Sequence, residues 1–171
     1  MNRARLFSVL SICVVAFLTF VPVFPVLAAS PEVIHFRDSG EDFHVFDCGT
    51  FFVNGASEEK GEITTYFNQA GVPIKLKVHM VFNGQLTNET TGKALRDWDR
   101  YTVSVDLQSS SITYAGLPAR FFIPGAGVII RDAGKIVFDP ATNAVQFQAG
   151  PHPFFYITDQ EFVTLICSAL A

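Results

Sequence analysis

Residues 75–87 read KLKVHMVFNGQLT, and this stretch decides the fold. Most of its odd positions are polar, whereas its even positions carry the apolar side chains Leu76, Val78, Met80, Phe82 and Leu86. A period of two over this length predicts a β-strand with one buried and one solvated face. Strands of parallel sheets are usually buried on both faces, so the alternation also predicts an antiparallel neighbourhood.

An Asn83-Gly84 pair lies inside this stretch, although Asn-Gly is also a strong hairpin signal. Leu86 keeps the parity of the apolar residues before the pair, so the strand is predicted to continue through it. Gly84 is then an inward position that leaves room for a bulky neighbour. The inward row is the predicted wall of any ligand site, whose candidate residues are Met80, Phe82, Gly84, Trp98 and Tyr101.

Similar short apolar segments recur along the chain. They predict strands at 33–37, 43–53, 62–68, 96–107, 112–116, 119–124, 127–131, 135–139 and 144–148. The polar or glycine-bounded segments between them are typical of turns and loops, at 38–42, 54–61, 88–93, 132–134 and 139–143. This spacing indicates an all-β chain, an antiparallel barrel or sandwich, and we favour a meander β-barrel of about eight or nine strands.

At the end of the chain the spacing of apolar residues changes from the period of a strand to that of a helix. One helical face would carry the apolar side chains Phe162, Leu165, Ile166, Ala169 and Leu170. Thr158 followed three residues later by Glu161 is a capping box, with acidic groups at the favourable end of the helix dipole. One C-terminal helix is therefore predicted, packed against the barrel or plugging one end.

The first residues have the order of a secretory signal peptide. Arg3 and Arg5 precede a long apolar run that ends in small residues at Ala28 and Ala29. We expect residues 1–28 to be cleaved after Ala28, leaving 29–171 as one secreted domain without a membrane attachment; a retained anchor is the alternative. Asn88-Glu89-Thr90 matches a glycosylation acceptor, which matters only in a host that glycosylates.

The charge balance restricts the partners. The chain has 12 basic and 16 acidic residues, and removing 1–28 leaves 10 against 16, a formal net charge of −6. An acidic domain without a run of Lys or Arg argues against nucleic acid or an anionic membrane as the main partner.

Two cysteines remain after residue 28, Cys48 and Cys167. In an exported chain they have one possible intramolecular pairing, so a disulfide between the first part of the domain and the helix is predicted. Two buried free thiols are the alternative.

No pattern assigns a metal, a cofactor or a catalytic residue. His35 and His44 flank an acidic segment that lacks the ligand spacing of a calcium loop, and no Gly-x-Ser-x-Gly elbow is present. Asp97 and Asp99 around Trp98 share one strand face about 7 Å apart, which is within the range of inverting glycosidases. Such a pair is also common in exposed strands.

Fourteen phenylalanines follow residue 28. Adjacent pairs such as Phe51-Phe52, Phe121-Phe122 and Phe154-Phe155 must place one ring on each side of their strand. They are interpreted as a phenylalanine-rich core, an apolar ligand cavity or a hydrophobic partner surface.

Several short motifs carry a resemblance. They are Cys48 after Phe46-Asp47, the hairpin end Thr91-Gly92-Lys93, the segment 132–135 before Ile136-Val137-Phe138-Asp139, and the tail Ile166-Cys167. With the signal peptide, these resemble a group of uncharacterised secreted bacterial proteins, which implies a small exported all-β domain and no established activity. The architecture is similar to lipocalin and allene-oxide-cyclase barrels, an analogy of fold that does not transfer function.

These observations favour a secreted, non-enzymatic barrel that binds a hydrophobic small molecule or a protein partner. The alternatives are an isomerase or hydrolase acting in the barrel mouth, and a structural component of the cell envelope or extracellular space.

Overall fold

Seven antiparallel strands form one sheet in the computed structural model, which describes residues 30–171. The predicted signal peptide lies outside the described residues. The strands follow chain order across the sheet, so every neighbouring pair is a hairpin. They are β1 (Glu32–Asp47), β2 (Phe52–Phe67), β3 (Pro73–Asn88), β4 (Ala94–Asp106), β5 (Ser111–Ile123), β6 (Gly127–Asp139) and β7 (Ala144–Ala149).

The strand predicted at 75–87 is confirmed as the middle of β3, and it runs through Asn83-Gly84 without a turn. The neighbouring strands are longer than predicted. The segment 38–42 pairs with 55–59 inside the β1–β2 ladder, and the segment 54–61 belongs to β2. Both predictions of a turn or loop were wrong, because backbone pairing does not require apolar side chains where a ladder extends into solvent.

Fusion of predicted short strands also explains the strand number. The segment 132–134 was predicted as a turn, but Asp132 pairs with Ala119 and Gly134 with Gly116 within the β5–β6 ladder. The described residues thus contain seven strands rather than eight or nine. No pairing joins β1 to β7 among them, so the antiparallel meander is confirmed and the closed barrel is not.

Two helices follow the sheet, α1 (Pro153–Tyr156) and α2 (Asp159–Leu170). The capping box that the sequence predicts is present, since Thr158 Oγ1 accepts from the backbone N–H of Glu161 and the Glu161 carboxylate accepts from that of Thr158. Neither of these helices has the length and apolarity needed to cross a bilayer.

The core lies between α2 and one end of the sheet. Its fully packed members are Val53, Leu95, Ala119, Phe121, Ile130, Ile166 and Leu170. The predicted disulfide joins Cys48 to Cys167 with Cα atoms 5.5 Å apart, and it ties α2 to the connection between β1 and β2.

Asn88 adds a second attachment for α2. Its side chain is 1% exposed, and its amide nitrogen donates to the carbonyl oxygen of Leu170 at 3.0 Å. Its Oδ1 accepts from the backbone N–H groups of Thr90 and Thr91. The side chain of the formal glycosylation acceptor is therefore occupied inside the folded domain.

Candidate functional site

The sheet has two faces with different chemistry. We call the face that carries the inward row of β3 the core face, and the opposite one the outer face. The register places Tyr101 beside Met80, Asp99 beside Phe82 and Asp97 beside Gly84. Because side chains alternate along a strand, these six residues share the core face.

The helices cover only part of the core face. The ring of Phe155 packs on Tyr114 and Phe138, and α2 covers the end that carries the core. The apolar side chains of the first three strands remain half-buried, and we call them the open row: Ile34, Phe36, Ile63, Leu76, Val78, Met80 and Phe82. An apolar row this long is thus left without a complete protein cover.

The candidate ligand residues divide between the faces. Met80, Phe82, Gly84 and Tyr101 are brought together on the core face, but Trp98 pairs with Asn83 and lies on the outer face. The expectation that Trp98 or Tyr101 occupies the space at Gly84 was wrong, because the ring of Phe82 fills it. A Cβ at Gly84 would lie 2.8 Å from Cε1 of Phe82 and 3.2 Å from Cβ of Asp97.

Asp97 and Asp99 lie on the core face beside the open row. Their carboxyl groups are within hydrogen-bonding reach of each other, and both approach the backbone N–H of Arg120, which donates to Oδ1 of Asp99 at 2.9 Å. The shared face that the alternation predicts is confirmed. Carboxyl groups within hydrogen-bonding reach of each other are closer than the pair of a glycosidase that encloses a glycosidic bond.

Burial changes the protonation of this pair. It raises the pKa of both carboxyls, and the neighbouring Asp97 raises the pKa of Asp99 further. Asp99 is 8% exposed, and Oδ1 of Asp97 is inaccessible and has no hydrogen-bond partner among the described residues. Two carboxylates cannot both ionise at such a place, so the pair retains a proton at neutral pH and can donate it.

Two further polar groups share this region. The hydroxyl of Tyr101 donates to the sulfur of Met80 at 3.1 Å, a weak acceptor that a ligand oxygen can replace. Glu59 lies opposite Phe82 on the core face, and burial, followed by the nearby Asp38, raises the pKa of its carboxyl. A small group of polar side chains therefore lies beside the open row.

A buried hydrogen bond between His152 and Asp132 was not predicted. Nδ1 of His152 lies 2.8 Å from Oδ1 of Asp132, and both side chains are almost fully buried. Nε2 lies 3.2 Å from the carbonyl oxygen of Ala149, and since a carbonyl only accepts, Nε2 carries a proton. Asp132 also accepts from the backbone N–H of Phe154. The contact attaches α1 to β6 and leaves no ring nitrogen for a substrate.

No group of three or more His, Cys, Asp or Glu side chains within 30–171 is arranged to hold a metal ion. The imidazole of His44 stacks on Phe52 and contacts Glu89, so His44 is engaged away from the acidic segment that follows His35. Comparison with protein-family models, curated proteins and solved structures found no match to the chain. The geometry of the core face is therefore the basis for a functional proposal.

Proposed function

We propose that the protein is an exported binding domain that holds a neutral apolar molecule on the open row of its core face. The observation that carries the proposal is the half-burial of Leu76, Val78, Met80 and Phe82, although they form the apolar side of the central amphipathic strand. Apolar surface of this extent is stabilised when another apolar surface covers it. A bound molecule supplies that cover in the way that the far wall of a lipocalin-like barrel does.

The polar groups beside the open row define the ligand. A shared proton on Asp97 and Asp99 and the hydroxyl of Tyr101 can meet one or two oxygen atoms of a largely apolar molecule, which is the usual composition of a small-molecule site. An anionic ligand is disfavoured, because the carboxyl groups of Asp97, Asp99 and Glu59 lie beside the open row. The ligand class is therefore an uncharged apolar molecule with a carbonyl or hydroxyl group.

The disulfide supports a location outside the cytoplasm. A covalent Cys48–Cys167 link is compatible with an oxidising compartment outside the cytoplasm. We place the protein there, released by cleavage after Ala28, where a binding domain would meet apolar molecules in the medium or envelope.

The test uses the neutral fluorophore N-phenyl-1-naphthylamine, whose emission rises in apolar sites. Val78 and Val81 are both half-buried on β3 but on opposite faces, which gives a matched pair of substitutions. We expect saturable binding to the unaltered protein, a loss of affinity of about fivefold or more in Val78→Gln, and little change in Val81→Gln. Equal losses in both variants, or no saturable binding, would contradict the proposal.

The carboxyl pair favours a second candidate, acid–base catalysis on the molecule held there. One carboxyl that retains a proton and one that gives it up divide the roles of acid and base. Hydration of styrene oxide tests this directly, since the acid protonates the epoxide oxygen while the base takes a proton from the attacking water, giving the diol. If the pair catalyses this reaction, diol forms faster with the unaltered protein than with Asp99→Asn. Equal rates would exclude catalysis by the pair.

A further inference from the structure

The outer face collects most of the arginines of the domain. Residues 30–171 contain five arginines, and four lie on the three adjacent strands β4, β5 and β6: Arg96, Arg100, Arg120 and Arg131. Arg120 lies directly opposite Arg131 in the β5–β6 register. The chain separates these residues by up to 35 positions, so the cluster is created by the sheet.

The cluster is not neutralised within the described part of the chain. The ion pairs there involve Arg37, His44 and His152, and none of the four outer-face arginines. The acids nearest to them in sequence point away, because alternation places Asp97, Asp99 and Asp132 on the core face. An acidic protein thus presents a positive patch, where like charges repel one another unless an anion joins them.

An apolar surface lies inside the same patch. The guanidinium carbons of Arg100 and Arg120 lie 5.8 and 5.6 Å from the ring centre of Trp98, within the range of cation–π contacts. Beside them is a cleft of about 350 Å³ that is open to solvent, at the lower end of the volumes of small-molecule sites. Its lining combines apolar and cationic side chains: Trp98, Leu117, Arg120, Val128 and Arg131.

We propose that this cleft binds a small organic anion, with an oxyanion head between Arg120 and Arg131 and an apolar body against Trp98, Leu117 and Val128. Guanidinium groups bind carboxylate, sulfate and phosphate oxygens through charged hydrogen bonds. The half-exposed Val128 and the ring of Trp98 are surfaces that an aliphatic chain covers. A free inorganic anion would contact only the arginines and would leave the apolar lining exposed to solvent.

This site is independent of the one proposed on the core face. It lies on the other side of the sheet and takes an anionic ligand rather than an uncharged one, because the core face carries carboxyls and the outer face carries guanidinium groups. The two sites are connected through the backbone: Trp98 is flanked in β4 by Asp97 and Asp99, and the N–H of Arg120 donates to Oδ1 of Asp99.

The test uses a reporter that the chain already contains. Trp98 is the one tryptophan in the sequence, so intrinsic indole emission reports on this cleft. Octanoate, octyl sulfate and octyl phosphate are titrated, with octan-1-ol and inorganic phosphate as probes that lack the charge or the apolar chain. Arg131→Gln removes one charge, and Arg37→Gln is the matched control, since Arg37 is exposed and pairs with Glu58 on β2.

We expect a saturable change of emission with at least one octyl anion and a much weaker response to octan-1-ol and to phosphate. Arg131→Gln should weaken binding about tenfold, the value for one lost charge-assisted hydrogen bond, while Arg37→Gln should bind as the unaltered protein does. The preferred anion identifies carboxylate, sulfate or phosphate as the head group. No saturable response to any octyl anion, or equal effects of the two substitutions, would overturn the proposal.

Discussion

The backbone N–H of Arg120 donates a hydrogen bond to Oδ1 of Asp99 at 2.9 Å, while the guanidinium group of Arg120 lies near Trp98 on the opposite face. One residue of β5 thereby contacts both the carboxyl pair of the core face and the cationic cleft of the outer face. Side-chain alternation places carboxyl groups on the core face and guanidinium groups on the outer face, and it thereby produces two candidate sites of different chemistry.

Asp97→Asn should flatten the dependence of stability on pH. Burial raises the folded-state pKa of both Asp97 and Asp99, and the charge of Asp97 raises the pKa of Asp99 further, so folding favours the protonated form. Stability is then complete below the ordinary aspartate pKa and is lost as pH rises towards the raised values. A pKa change of one unit corresponds to about 1.4 kcal/mol, so the effect on urea midpoints between pH 4.5 and 8 is measurable.

Asp106→Asn is the control for that series. Asp106 is the last residue of β4, and the backbone N–H groups of Ser109 and Gln108 lower its pKa. Its stabilising contribution is therefore present above the ordinary aspartate pKa and lost as pH falls through the lowered value. Asp106→Asn should therefore not change the loss of stability at higher pH. An Asp97→Asn protein whose stability falls with pH as steeply as that of the unaltered protein would contradict the shared proton.

Asn88→Ala should destabilise the domain by roughly 2–3 kcal/mol, because it leaves the buried carbonyl of Leu170 and two backbone N–H groups of the β3–β4 turn without partners. Asn83 is exposed on the outer face of the same strand, so Asn83→Ala should change the free energy of unfolding by less than about 0.5 kcal/mol. Urea denaturation compares the two. Similar values for both variants would show that the attachment of α2 does not depend on Asn88.

His152→Ala should cost roughly 2–4 kcal/mol, because it removes the hydrogen-bond partner of a buried carboxyl and leaves a cavity. Its partner Asp132 is 0% exposed. His35 is exposed on β1, so His35→Ala serves as the matched substitution and should be nearly neutral. Thermal unfolding followed by circular dichroism distinguishes them, and a His152→Ala protein as stable as His35→Ala would rule out an anchoring role for this contact.

Removal of the disulfide should have the largest single effect on stability. The double variant Cys48→Ala/Cys167→Ala opens a link across 119 residues, for which the loop-entropy model gives roughly 4–5 kcal/mol. Urea unfolding of the double variant, compared with the oxidised protein, measures it. A difference below about 1 kcal/mol would show that the helix is held mainly by its apolar contacts and Asn88.

Much of the fold was predictable because local patterns determine it. The period of two identified β3, the capping box located the start of α2, and two remaining cysteines allowed one pairing. Local patterns fail where composition and geometry disagree: the polar segment 38–42 has the composition of a turn but continues the β1–β2 ladder in solvent.

The candidate site was predictable only in part. The parity of β4 already separates Trp98 from Tyr101, so the division between the two faces was present in the sequence. The Asp132–His152 contact and the approach of Asp97 to Asp99 were not predictable, because each depends on where a distant backbone donor or carbonyl lies.

The most direct test of the central proposal, binding of a neutral apolar molecule to the open row, uses Met80. The sequence contains two methionines, Met1 and Met80, so in protein cleaved after Ala28 a ¹³C-methyl-methionine label gives one NMR signal from the core face. We predict that N-phenyl-1-naphthylamine shifts this signal in a saturable manner and leaves the indole N–H signal of Trp98 on the outer face unchanged. A Met80 methyl signal that does not move at saturating probe, or a shift confined to Trp98, would contradict the proposal.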